Sequence, residues 1–244
     1  MKILITGSEG FIGKNLFSKL KELPEINIVR LSRKSSIEYL REQVSDGNIE
    51  FIFHLAGVNR PTDICKFIDN SDFTRMLCNL IITSEKKIPI VFSSSIQANL
   101  DNPYGVSKLE SEKILLDYGK KTNALVYIYR LPNVFGKWCR PNYNSVVATF
   151  CYNINKGLPI QIHDPNTSIR LVYIDDVVSS FIEILQRRPK NTCCEVKPVY
   201  SITVGDLVKQ LRYFKENKKI INDDALTRAL STTYNSYNSQ LSSI

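Results

Sequence analysis

The sequence predicts an α/β fold with a doubly wound parallel sheet. Three features predict it: short runs apolar on both faces, helical stripes between them, and a glycine-rich turn directly after the first run. Strands covered on both faces read as continuous β-branched and apolar runs rather than as alternating ones. "KILIT" (2–6), "INIVRL" (26–31), "IEFIFHL" (49–55), "IPIVFS" (88–93) and "LVYIYR" (125–130) have that character. After the first of them, Ile12, Leu16 and Leu20 recur every four residues and give a helix one buried stripe. Strand–helix alternation of this kind implies parallel pairing with right-handed crossovers. Later, "LPIQI" (158–162) and "IRLVYI" (169–174) are expected strands, and "IDDVVSSFIEILQ" (174–186) and "TVGDLVKQLRYF" (203–214) expected helices. Thr203, with Asp206 three residues on, has the spacing of a capping box for the second helix. The stretch 231–244, "STTYNSYNSQLSSI", is polar and without periodicity, and is expected to be a loose tail or linker.

Composition narrows the class. The chain has 244 residues, enough for one large domain, and a hydrophobic content of 43% supplies an ample core. Its net charge of +8 suits an anionic partner, yet the basic residues form short clusters ("RRPK", "KENKK") and not a block, which argues against nucleic acid. Six cysteines without a C-x-x-C, and two histidines, give a metal site no support. No apolar stretch approaches membrane-spanning length, and the apolar run of "MKILITGSEG" is too short for a signal peptide. A cytoplasmic protein with reduced thiols is expected.

"GSEGFIG" follows the first strand and precedes an amphipathic helix, with Gly7, Gly10 and Gly13 at regular spacing. A sharp turn, a close approach to a diphosphate and tight helix–sheet packing all require residues without side chains. The helix N-terminus then faces the phosphate charge, so Gly7, Gly10, Phe11, Ile12 and Gly13 are candidate cofactor contacts of a Rossmann-type sheet. An NAD site usually has a carboxylate at the end of the second strand for the ribose hydroxyls. Here that strand runs into "LSRKSS", where Arg33 and Lys34 suit a 2′-phosphate instead, so the expected cofactor is NADP(H).

"SSSIQANLDNPYGVSK" (93–108) gathers hydroxyl, phenol and ammonium groups at the end of the fourth strand. Asp101 or Asn102 is a suitable N-cap and Pro103 a suitable first helical residue, so Tyr104 and Lys108 share a helix face one turn apart. The trio suits proton transfer during hydride chemistry at a carbonyl or alcohol carbon. Tyr104 is the expected acid or base, and Ser95 polarises the same oxygen. The Lys108 ammonium is expected to lower the phenol pKa and to hold the ribose.

At these residues the chain resembles the extended short-chain dehydrogenase/reductases that act on nucleotide sugars, through "GSEGFIG", "HLAG", "SSS", "PYGVSK", "RLPNVFG" and "LVYIDDV". "HLAGVNRP", "SSSIQANLDNPYG" and "YRLPNVFGKWCRPNYNS" are similar to one branch, the CapF/WbjC-like reductases of capsule and O-antigen synthesis. The resemblance implies that Leu55, Ala56 and Gly57 line the cofactor, that Ser95, Tyr104 and Lys108 are catalytic, and that Asn133 approaches the sugar nucleotide. It implies NADPH-dependent reduction of the C4 keto group of a UDP-2-acetamido-2,6-dideoxy-L-hexos-4-ulose, giving a talo or rhamno product. Sugar-nucleotide dehydratases of the family have an Asp-Glu pair after the catalytic hydroxyl residue; Ile96 and Gln97 stand there in this chain, which disfavours dehydration. CapF-type members continue into a cupin domain that epimerises the sugar. None follows here, which leaves a shortened chain or a stand-alone reductase fed with epimerised substrate.

A Rossmann domain over 1–230, with a small substrate-binding portion from about 131, is therefore expected. After the fifth strand, Lys137 and Arg140 suit a UDP diphosphate, Asn142 and Asn144 the sugar or uracil, and Arg170 is a second diphosphate candidate. Arg60 suits either ligand, Trp138 suits packing as well as binding, and Asp176 is expected to cap a helix. Relatives pair through two helices, here about 64–85 and 104–121, so a homodimer is expected, with Leu109 and Leu116 compatible with that surface. The competing readings are a 4-epimerase that retains NAD and a non-catalytic NADP-sensing module, which would ordinarily lack the Tyr-Lys pair.

Overall fold

The structure is a computed structural model, and it describes residues 1–45, 47–190, 193–217 and 224–239. It divides into two compact units, the first formed by 1–131 and 178–195, the second by 132–177 and 196–244.

The first unit is built on a parallel sheet ordered β2-β1-β3-β4-β5-β8. Its strands are β1 (Lys2–Thr6), β2 (Asn27–Leu31), β3 (Phe51–His54), β4 (Ile90–Ser95), β5 (Val126–Leu131) and the two-residue β8 (Cys193–Cys194). Every residue of β3 and β4 is buried, as central strands covered on both faces require. β2 differs: Asn27 and Arg30 are exposed because this strand is the sheet edge. On one face Leu4, Ile52, Ile90, Phe92 and Val126 pack under α2 (Ile37–Ser45), α3 (Ile68–Thr83) and α4 (Pro103–Thr122) through Leu40, Leu77, Ile81, Leu115 and Tyr118. Burying each such aliphatic side chain contributes roughly 1.5–3 kcal/mol. The buried Tyr118 phenol is satisfied by one residue, donating to the Ile88 carbonyl (2.7 Å) and accepting from its amide (3.0 Å). On the other face Phe53 and Tyr129 pack on Phe181 of α6 (Ile174–Arg187), with ring centroids 5.9 and 4.9 Å away. The helix α1 (Phe11–Leu20) follows the glycine turn and buries Leu16 and Leu20.

The second unit has a three-stranded sheet, β6 (Asn133–Phe135), β7 (Ser168–Tyr173) and β9 (Tyr200–Thr203), in which β6 and β7 are parallel and β9 is antiparallel to β7. Phe135 and Leu171 pack with α5 (Val146–Lys156), α7 (Val204–Glu216) and α8 (Ala225–Ser239). Thr203 caps α7 as its spacing predicts, accepting from the Asp206 amide at 3.1 Å.

Three expectations are corrected here. "LPIQI" is not a strand: it follows the left-handed Gly157 that ends α5, and runs as irregular chain into the turn before β7. The polar stretch from 231 is not a tail up to residue 239, because it continues α8, which buries Ala229, Leu230, Tyr234 and Tyr237. Beyond Leu230 its apolar stripe is made by tyrosine, and Thr233 hides its hydroxyl on the Ala229 carbonyl (2.7 Å), so polar composition concealed an amphipathic helix. The remainder of that stretch, 240–244, lies outside the described residues. Asp176 does not cap α6: it sits beside Asp175 inside the first turn, where a carboxylate favours the helix dipole.

Candidate active site

The strand order reverses between β1 and β3, and such sheets take ligands in the crevice at the carboxyl ends of those strands. The residues there meet steric demands that only glycine satisfies. Gly7 has φ +67°, and a Cβ on it would lie 2.7 Å from the Ala56 backbone. A Cβ on Gly13 would lie 2.3 Å from the Gly7 carbonyl oxygen. Gly10 is the N-cap of α1 and supplies no side-chain cap, so the amides of Phe11, Ile12 and Gly13 in the first turn are available to phosphate oxygens. A dinucleotide therefore fits the residues present. The turn after β2 is closed by serines, with Ser32 N–H donating to Ser35 Oγ (3.1 Å) and Lys34 N–H to Ser32 Oγ (3.2 Å). It leaves Arg33 and Lys34 exposed.

The loop after β3 is fixed by a directed chain of hydrogen bonds that sequence reasoning missed. Thr6 Oγ1 accepts from the amides of Leu55 and Ala56, both at 3.2 Å. Its own proton must then go to His54 Nδ1, 2.8 Å away. His54 Nε2 is 2.9 Å from Thr74 Oγ1, and that hydroxyl donates to the Asn70 carbonyl at 2.7 Å. Nε2 is thus the protonated nitrogen, and a second ring proton would have no acceptor. Burial, with Lys108 adding to it, pushes the His54 pKa down to about 3. Asn70 clamps the next residues: its Oδ1 accepts from Val58 N–H (2.6 Å), and its Nδ2 donates to Val58 O (2.9 Å) and Ser107 Oγ (3.0 Å). Of these residues only those of "HLAG" lie in a sequence motif; Asn70, in the first turn of α3, has none.

The trio comes together as expected. Asn102 caps α4, accepting from Gly105 N–H at 2.9 Å, and Pro103 opens the helix. Gly105 lets the helix press on the preceding turn, since a Cβ there would lie 2.1 Å from the Gln97 carbonyl oxygen. Ser95 ends β4 and caps the 3-10 turn Ile96–Asn99 by accepting from Gln97 N–H (3.2 Å). Lys108 is 4% exposed; its Nζ donates to the Ser93 carbonyl (3.0 Å), lies 4.7 Å from the Phe92 ring centre and 6.0 Å from that of Tyr104. A Cβ on Gly57 would be 3.2 Å from this Nζ, so the glycine at the end of "HLAG" makes room for the ammonium.

The electrostatics depart from expectation in one respect. Burial dominates Tyr104 and raises its pKa to about 12, with a hydrogen bond from Ser95 opposing it, and Lys108 is not among the causes. A phenol held protonated at neutral pH is suited to donating a proton. Lys108 is itself pulled down to about 8 by burial, against the charge of Glu112.

In the second unit, the structure brings Asn133 and Arg170 together: the paired strands β6 and β7 place Asn133 Nδ2 3.1 Å from the Arg170 carbonyl. Both side chains are exposed. Lys137, Arg140 and Asn142 lie on the loop before α5. Lys137 Nζ is 4.9 Å from the Trp138 ring centre, the Arg140 guanidinium 5.1 Å from that of Tyr143, and Asn142 N–H donates to Thr149 Oγ1 at 3.0 Å. Trp138 is 41% exposed and so is not a core residue.

The chain belongs to the NAD dependent epimerase/dehydratase family, whose model matches residues 3–196. A nicotinamide cofactor goes with that family. Among characterised proteins, the chain is 46% identical over 243 residues to UDP-2-acetamido-2,6-beta-L-arabino-hexul-4-ose reductase of Pseudomonas aeruginosa, covering 97% of this chain and 65% of that protein. Among solved structures it is similar to the capsular polysaccharide assembling protein CapF from Staphylococcus aureus, with 38% identity, a TM-score of 0.85, and 97% of this chain matched to 65% of that one. A UDP-glucuronic acid 4-epimerase from Bacillus cereus, solved with UDP-glucuronic acid and NAD, shares the fold at 17% identity and TM-score 0.85 over 98% of this chain and all of its own. The chain thus spans about two thirds of the length of the first two proteins.

Proposed function

We propose that the chain is an NADPH-dependent reductase of a UDP-2-acetamido-2,6-dideoxy-L-hexos-4-ulose, serving surface polysaccharide synthesis. The observation that carries this reading is a half-buried Tyr104 set beside Ser95 and Lys108, in a chain 46% identical to a UDP-sugar 4-keto reductase. The cofactor, held by Gly7, Gly10, Phe11, Ile12, Gly13, Leu55, Ala56 and Gly57, supplies the hydride. Ser95 polarises the C4 carbonyl oxygen, and Tyr104 delivers its proton to the oxygen as charge develops there. Lys108, charged below about pH 8, holds the ribose and stabilises the phenolate left behind. Asn133, Lys137, Arg140, Asn142 and Arg170 are assigned to the sugar nucleotide, the cations to its diphosphate. Incubating the protein with NADPH and a panel of UDP-4-keto sugars tests the reading: nicotinamide oxidation dependent on the keto sugar supports it. Oxidised NAD that survives purification, without net reduction, supports a 4-epimerase instead.

The choice of NADPH rests on Arg33 and Lys34 in a turn where no carboxylate follows β2 before Glu38. Losing one charge-assisted phosphate contact costs about 1.5–3 kcal/mol. Arg33→Ala is therefore expected to weaken NADPH binding roughly ten- to a hundred-fold and leave NADH unchanged, as read by titration calorimetry. NADH binding as tightly as NADPH to the unchanged protein contradicts the choice.

A homodimer through α3 and α4 is part of the proposal. Leu116 and Val106 of α4 and Ile68 of α3 are 47%, 50% and 60% exposed and are the apolar side chains these helices offer to a partner. Light scattering at micromolar concentration is expected to give twice the chain mass; a monomer contradicts it.

A further inference from the structure

Glu112 is 4% exposed and lies one turn beyond Lys108 on α4. A carboxylate so buried needs a full set of partners, and it has them. Arg130 of β5 grips it bidentately, with Nε to Oε1 at 2.9 Å and Nη2 to Oε2 at 2.6 Å, and Ser94 donates to Oε1 at 2.5 Å. Arg130 also reaches Asn99 Oδ1 (2.5 Å), at the end of the 3-10 turn that Ser95 begins. One carboxylate thus ties together the residue before Ser95, the turn after it, the neighbouring strand and the helix bearing Tyr104 and Lys108. The serine run divides the work: the Ser93 carbonyl holds Lys108, the Ser94 hydroxyl holds Glu112, and Ser95 bonds Tyr104.

We propose that Glu112, with Arg130 and Asn99, is a positioning residue of the reductase site: it fixes Ser95 against Tyr104 and supplies the negative charge that keeps the Lys108 ammonium in a buried position. The proposal rests on the reductase reading for its kinetic consequence, but not for its electrostatic one. The groups facing Lys108 are Tyr104 and Glu112 on its own helix, the Ser93 carbonyl and Phe92 ring on β4, His54 on β3, and Gly57 of the β3 loop. His54 and Tyr104 are neutral at pH 7, which leaves Glu112 as the anion among these groups. Burial lowers the Lys108 pKa and Glu112 raises it, so removing the carboxylate charge moves the titration to lower pH.

Glu112→Gln keeps shape and removes charge. Two readouts test it. In side-chain nitrogen NMR of labelled lysine, with Lys108 assigned by its loss in Lys108→Met, the Lys108 midpoint is expected to fall below the value near 8 in the unchanged chain. In steady-state kinetics, kcat is expected to fall roughly ten- to a hundred-fold, its alkaline limb moving to lower pH, while the KM for NADPH changes little. Arg130→Lys, which keeps the charge but loses the planar fork, is expected to lower kcat with a smaller shift of the limb, and it replaces Glu112→Gln should that variant not fold. A folded Glu112→Gln protein with unchanged Lys108 midpoint and unchanged kcat overturns the proposal, as does a variant that loses only melting temperature. If the unchanged chain reduces no keto sugar, the reductase reading fails, and the lysine titration, which needs no substrate, still decides this proposal.

Discussion

Tyr104→Phe is expected to lower keto-sugar reduction by about 10²–10⁴-fold while fold and NADPH affinity survive. The substitution removes one oxygen whose protein partner is Ser95, so little structure depends on it. The rate depends on it because the phenol, raised to about 12 by burial, is protonated throughout the neutral range and in the proposed mechanism gives its proton to the C4 oxygen. Ser95→Ala is expected to cost about 10²-fold, the usual contribution of one polarising donor. Lys108→Ala should harm both rate and cofactor affinity, since the proposed mechanism has the ammonium serve phenol and ribose together. Steady-state kinetics with a calorimetric NADPH titration separate these outcomes, and undiminished reduction by Tyr104→Phe would remove the trio from the chemistry.

The second large effect is expected at the cofactor turn. Gly13→Ala puts a methyl group 2.3 Å from the Gly7 carbonyl oxygen and 2.9 Å from Ser8 Cα. Backbone atoms cannot turn aside as a flexible side chain does, so the turn itself must move. Gly7 cannot follow freely, because its own Cα hydrogen side abuts Ala56. Overpacking of this kind typically costs about 1–3 kcal/mol of stability, less than the roughly 5–15 kcal/mol typical of a folded domain. The displaced amides of the α1 N-terminus lose their phosphate geometry, and NADPH affinity is expected to fall at least a hundred-fold. Calorimetry and a thermal melt check the two parts together: lost binding in a protein still folded is the expected pattern.

Much of the first unit was legible because its strands are buried on both faces and leave uninterrupted apolar runs, as in β3 and β4. The trio was legible because its residues lie within fourteen positions of one another, on a strand end and a helix start whose cap and proline are local signals. What stayed hidden depends on contacts remote in sequence. Thr6 meets His54 across 48 residues and Asn70 meets Ser107 across 37, with no motif to announce either. Glu112 and Arg130 likewise lie in no motif that joins them, and only the fold brings the carboxylate and guanidinium together. In the second unit the hydrophobic signal itself misled at "LPIQI", an expected strand that runs as irregular chain after Gly157 ends α5. The part of α8 from Ser231 looked like a tail because its buried ring-bearing residues are tyrosines, Tyr234 and Tyr237, set among polar residues. The phenol pKa was misjudged because burial cannot be read from a Y-x-x-x-K spacing.

The central claim is that this chain reduces a C4 ketone with Tyr104 as proton donor. Its most direct test is reduction of the UDP-4-keto sugar with NADPH deuterated at the transferable position, followed by mass and proton NMR analysis of the sugar. The account predicts one deuterium per product molecule, located at C4, in the unchanged protein, and product formation depressed by about 10²–10⁴-fold in Tyr104→Phe. Product without deuterium at C4, or label incorporated equally fast by both proteins, would contradict it.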